Sequence, residues 1–185
     1  YNTEYGYDSV AALETEGKTK CNSAWVFEAW DYVKAKQKGA DKYNYFAFKD
    51  QDSKLDWYTP VLIGNEKYMK NNPETTKKFL SATKRGYEYA MKNPEKAAEI
   101  LMKETPELAA EREFIMASQK EITKKYYDAE KGEKWGEISP ARWSGFYEYL
   151  NEIKEKIEEK MRLVGDATTL SYIPTNYGFT NDYLE

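Results

Sequence analysis

The chain has 185 residues, with 28 basic against 32 acidic side chains, one Cys and no His. Without imidazole there is no Ser-His-Asp or Cys-His triad and no His-ligated metal, and a single thiol allows no internal disulfide, CxxC pair or Cys-rich zinc site. The interspersed, nearly balanced charge excludes a nucleic-acid footprint of clustered Lys and Arg, and no apolar run approaches the roughly 20 residues needed to span a bilayer.

What remains is 41% hydrophobic and 16% aromatic, too aromatic for disorder and long enough for one domain or two small lobes. In chain order, Asn22 to Phe27 (NSAWVF) reads as a short buried strand. Glu28 to Lys38 reads as a helix with Ala29, Tyr32, Val33 and Lys36 at helical spacing, ending at Gly39. Tyr43 to Phe48 (YNYFAF) alternates weakly and predicts a second strand, and Asp50 to Asp56 a polar loop. Tyr58 to Ile63 predicts a third strand, at an edge because Pro60 cannot donate to a ladder.

From residue 72 the helix signals sharpen. Asn72-Pro73-Glu74 and Asn93-Pro94-Glu95 repeat one start device, and Thr105-Pro106-Glu107 repeats it with Thr. The first residue caps, Pro takes the first helical position and Glu complements the positive helix end. The first helix places Phe79, Ala82, Thr83, Gly86, Tyr87 and Ala90 on one face. The second is expected to bury Ala97, Ala98 and Leu101, and the third presents Leu108, Ile115, Ser118, Ile122 and Tyr126. After a loop around Trp135, Pro140 starts a fourth helix with Trp143, Phe146, Tyr147 and Leu150 inward. The charged stretch Lys154 to Lys160 prolongs it or forms a separate exposed helix, and an irregular tail follows Gly165.

The densest chemical cluster is Ser23 to Tyr32, where a strand ends and a helix begins. Ligands bind at the carboxyl ends of strands in open α/β sheets. Two indoles with an intervening carboxylate suit a flat, nitrogen-bearing ring: the aromatic faces stack and the acid accepts N–H bonds. The same residues also fit a plainer role, with Trp25 and Phe27 in a core and Glu28 as a helix N-terminal acid. A second cluster, Asp56-Trp57-Tyr58-Thr59-Pro60, either lines a cleft or packs a loop. Asp50, Asp52 and Asp56 lie beside Lys49 and Lys54 and read as a solvated loop. They lack the glycine and closing Glu of an EF-hand.

The run Lys20-Cys-Asn-Ser-Ala-Trp25-Val-Phe-Glu-Ala-Trp30-Asp31 resembles the KCDSAWxFxGW(E/D) stretch of the NMT1/THI5-like solute-binding proteins. Tyr58 to Ile63, Asn72-Pro-Glu74, Phe79-Leu80, Gly86 to Ala90, Asn93 to Ala98 and Phe179 to Leu184 follow in that family's order, with the poorest fit over 151–176. Asn22 stands where the family usually has Asp, and Ala29 where it often has Gly. The resemblance implies an α/β, type II periplasmic-binding fold, here its helix-rich C-terminal portion with an incomplete sheet. Residues 1–40 would be the end of the second lobe and the crossover, 41–165 the C-terminal half of the first lobe, and 166–185 a tail. Such a portion lacks inner strands and exposes edges, so strand exchange between copies is one expected consequence.

By the same resemblance, the chain is expected to be an extracytoplasmic receptor of an ABC importer, periplasmic or lipoprotein-anchored. It would bind a small heteroaromatic such as an aminopyrimidine thiamine precursor, without a cofactor or catalytic step. Carried over, Trp25, Glu28 and Trp30 match the first motif, and Asp56 and Tyr58 the second. The expected partners are the solute and an ABC permease, with no nucleic acid, and with the membrane reached only through a lipid anchor or the permease. The competing expectations are a helical interaction domain without ligand, over 72–164, and an enzyme. Pyrimidine-making relatives consume an active-site His and use clustered Cys, which this chain lacks.

Overall fold

The computed structural model describes residues 2–5, 21–39, 43–125, 132–166, 168–175 and 177–184. The chain forms two compact units, one from residues 1–44 with 83–135 and the other from 45–82 with 136–185. Helix dominates both, and the sheet among the described residues has two strands.

In the first unit, β1 (Asn2–Tyr5) pairs in parallel with β2 (Cys21–Trp25), with a register irregularity between Asn2 and Thr3. β2 is the strand expected over 22–27, displaced by a residue or two. The expected helix follows, but it opens as a π-turn, Glu28–Tyr32, before continuing as α1, Val33–Gln37. The wider turn slips the helical register. The buried positions are therefore Asp31 and Ala35, not the face expected from Tyr32 and Lys36. Gly39, at φ 81°, closes the helix in the left-handed region that glycine tolerates.

Further along this unit, α5 (Pro94–Glu104) precedes a 3₁₀ turn, Pro106–Glu111, and α6 (Arg112–Thr123). Ala98, Met102, Phe114 and Ile115 form a small core between α5 and α6, with Val33, Leu108 and Met116 packed against it. Ala98 is buried as expected, but Leu101 is exposed and Met102 takes the inward place. Ile115 and Ser118 are buried as expected, while Tyr126 lies outside the described residues. Trp135 packs on Tyr87, with ring centroids 5.2 Å apart.

The second unit holds α2 (Phe48–Gln51), α3 (Glu66–Asn71) and α7 (Pro140–Leu163). Two expected strands are corrected here. Residues 43–47 form no strand, and Phe48 already begins α2. Residues 58–63 are irregular and carry no ladder; Val61, Leu62 and Ile63 are exposed. Apolar alternation makes a strand only where a partner edge accepts its N–H and C=O groups, and neither segment pairs with one. Nor is 50–56 a plain loop. It ends α2 and then turns as 3₁₀ over Ser53–Leu55, with the Asp52 carboxylate accepting from Lys54 N at 2.9 Å. Residues 140–163 are one helix, so the Lys154 to Lys160 stretch prolongs it.

α4 (Pro73–Lys92) contributes residues to both units. None of its residues is buried, and Phe79, Ala82 and Gly86 of its expected inward face are exposed. Its start and that of α5 share an unforeseen device. Asn72 and Asn93 do not cap forward. Each side-chain amide donates back to the carbonyl four residues earlier, Tyr68 at 2.9 Å and Tyr89 at 3.1 Å. The backbone N–H of each Asn donates to the same carbonyl, and its own carbonyl accepts the first bond of the next helix. One residue thus closes one helix and opens the next. Among the described residues no helix is long and apolar enough to cross a membrane.

Candidate functional site

Trp25, Glu28 and Trp30 lie within six residues of one another in the first unit, at the carboxyl end of β2. Trp25 is the last residue of the strand, Glu28 the first of the π-turn, and Trp30 lies at its middle. The two indoles are 38% and 42% exposed, so each presents part of its ring to solvent while the rest packs. Trp30 meets Phe114 edge to face, with centroids 4.7 Å apart and planes at 81°. Phe114 is buried in the α5–α6 core, and the Lys34 ammonium stands 5.0 Å from its ring centroid. Trp30 is therefore mounted on the core.

Glu28 is half-buried, and both its carboxylate oxygens lie 3.2 Å from Lys125 Nζ. Lys125 is also 4.0 Å from Glu121, so the ammonium is shared between two acids. A ligand amino group reaching Glu28 would find a carboxylate already polarised by a cation, with lone pairs to spare.

The neighbouring Asp31 is buried, and its Oδ2 accepts from Phe27 N at 2.9 Å. Phe27 carries the turn's first carbonyl, which accepts from Trp30 N at 3.1 Å and Tyr32 N at 3.2 Å. On the other side, the Ser118 hydroxyl donates to the Ala29 carbonyl at 2.5 Å. The sequence motif included Asp31, but its burial depends on the π register, which apolar spacing does not reveal.

Asp56 and Tyr58 belong to the second unit and form a separate arrangement around Arg142 of α7. Arg142 donates to the Asp56 carboxylate at 2.7 Å and to the Asp56 carbonyl at 2.9 Å. Its guanidinium lies 4.4 Å from the centre of the Tyr58 ring, and the Tyr58 hydroxyl accepts from Ser139 N at 2.9 Å. Asp56, Tyr58 and Ser139 thus hold the start of α7, with Arg142 as the central cation. Trp57 packs inward, 4.9 Å from Phe146 and 6.0 Å from Phe48. Arg142 was not foreseen: it lies 86 residues from Asp56 in a helix whose local pattern shows only an apolar face.

Among the described residues, no group of three or more His, Cys, Asp or Glu side chains is placed to hold a metal ion. No curated protein matches the chain significantly. Residues 6–97, close to half of the chain, match the family model described as NMT1/THI5 like. That segment includes Trp25, Glu28 and Trp30 as well as Asp56 and Tyr58. Over that segment the chain is similar to the NMT1/THI5-like family, whose members are mostly solute-binding proteins.

Proposed function

We propose that the chain serves as the substrate-binding component of an ABC importer, working outside the cytoplasm and performing no catalysis. Its solute is a small heteroaromatic such as an aminopyrimidine thiamine precursor. The observation that carries this reading is the Trp25–Glu28–Trp30 cluster, two partly exposed indoles flanking a carboxylate at the end of β2. The indoles offer faces to a flat ring, and Glu28 accepts from its amino group. Lys125 moves aside or bonds a ring nitrogen or oxygen of the solute. Asp56 and Tyr58, around Arg142 of the second unit, are proposed as solute contacts in their own right. Assignment of 1–40 and 41–165 to the two lobes of such a receptor belongs to it too, as do an ABC permease as partner and a lipid anchor or that permease as the link to the membrane.

The test is thermal stabilisation of the chain by a panel of pyrimidines and thiamine relatives. A ligand at one hundred times its Kd stabilises by about 2.7 kcal/mol, or roughly 5–10 °C for a chain of this size. Aminopyrimidines should give that shift, and E28Q and W30A should abolish it. A flat response across the panel would overturn the aminopyrimidine assignment.

A further inference from the structure

We propose that Asp31 and Ser118 are positioning residues for the solute site. They fix the π-turn on both sides of Trp30 and so set how Trp30 and Glu28 face Trp25. The inference rests on the reading of Trp25, Glu28 and Trp30 as the solute-contacting group.

The geometry is specific. Trp30 sits between Ala29 and Asp31, and both neighbours are tied. The Ala29 carbonyl accepts from Ser118 of α6 at 2.5 Å, and the Asp31 carboxylate accepts from Phe27 N at 2.9 Å. Both tying side chains are buried, Asp31 at 6% exposure and Ser118 at 3%. A buried carboxylate is costly unless bonded, and an apolar side chain at so buried a position would carry no such cost. The acid supplies something an apolar residue cannot: an acceptor for one of the N–H groups that a helix start leaves unpaired. The π-turn itself needs such support. π-turns are rare, occur mostly as single turns, and recur at functional sites. Here the turn projects Glu28 and Trp30 within three residues of each other, with Phe114 beneath Trp30 as a rigid seat.

Asp31 and Ser118 touch no solute in this scheme, so they act through Trp30 and Glu28. The test compares D31A, D31N and S118A with the control I115V, a core change that touches neither tie. The full chain is used throughout, with the aminopyrimidine panel as probe. Asn retains an acceptor for Phe27 N, so D31N is the conservative rescue. D31A and S118A should each weaken aminopyrimidine binding about tenfold, the loss expected for one hydrogen bond, and D31N should recover most of it. I115V should lower thermal stability while leaving affinity unchanged. Amide exchange at Phe27 should quicken about tenfold in D31A and much less in D31N. The Trp30 indole resonance should move in D31A and S118A but not in I115V.

If affinity falls in proportion to stability in all four variants, the ties are merely structural and the proposal fails. If wild-type protein binds none of the panel, the solute reading fails instead. The Phe27 exchange and the Trp30 resonance then decide the positioning claim by themselves: unchanged values in D31A and S118A overturn it.

Discussion

Replacing Phe114 by Leu tests whether Trp30 stands on the core of the first unit. The substitution keeps an apolar side chain at a position only 4% exposed but removes the aromatic ring. The lost edge-to-face contact with Trp30, at 4.7 Å and 81°, is worth about 0.5–1.5 kcal/mol. The lost contact with the Lys34 ammonium, 5.0 Å from the ring centroid, adds about 0.5–1 kcal/mol. The change of shape in a packed site costs up to about 1.5 kcal/mol. Together F114L should destabilise by about 1–4 kcal/mol, against about 0.5–1.5 kcal/mol for I115V at the next, equally buried position. Urea unfolding followed by circular dichroism measures both, with an unchanged m-value showing that stability alone has moved. A cycle of F114L with W30L should return a coupling of about 0.5–1.5 kcal/mol. Equal costs for F114L and I115V, with a coupling near zero, would show that Trp30 does not depend on Phe114.

Other expectations concern single interactions. An R142M and D56N cycle should show a coupling of about 1 kcal/mol, modest because both side chains are about one-third exposed, and 1 M salt should reduce it. Asn151 holds the tail by accepting from Ile173 N at 3.0 Å and donating to Ile173 O at 2.9 Å, so N151A should cost about 1–3 kcal/mol and speed proteolysis after residue 166. The hydrogen bond from Lys120, and then its charge, hold the Glu95 carboxyl below its ordinary range. A depressed acid stabilises the fold above its unfolded value and loses that contribution as pH falls through the folded one. The Glu95 carboxyl resonance should therefore titrate at lower pH than a free glutamate, and K120M should return it to the ordinary range.

The helical framework was legible because its signals are local. Pro73, Pro94, Pro106 and Pro140 each open a helical segment, where a missing N–H costs nothing. Gly39 and Gly165 follow helix ends at φ 81° and 83°. The two strands expected after β2 do not form, because YNYFAF and YTPVLI carry the right side chains but not the partner edge that makes a ladder. The Asn72 and Asn93 side chains were placed correctly at junctions but bond backwards, a choice between two carbonyl and amide neighbours that residue identity does not settle. At the site, motif order brought out Trp25, Glu28 and Trp30 because they lie within six residues. The bond of Ser118 to the Ala29 carbonyl and the role of Arg142 escaped because these bonds close over 89 and 86 residues.

The chain's five Trp residues provide the most direct measurement of the solute site. In an NMR titration with an aminopyrimidine, each indole N–H reports on its own surroundings. The Trp25 and Trp30 resonances should shift and saturate together with one Kd. Those of Trp57, which packs on Phe48 and Phe146, of Trp135, which packs on Tyr87, and of Trp143, whose N–H is bonded to the Tyr177 carbonyl, should stay in place. Saturable shifts at Trp57, Trp135 or Trp143 with Trp25 and Trp30 unmoved would contradict the assignment of the solute to the end of β2.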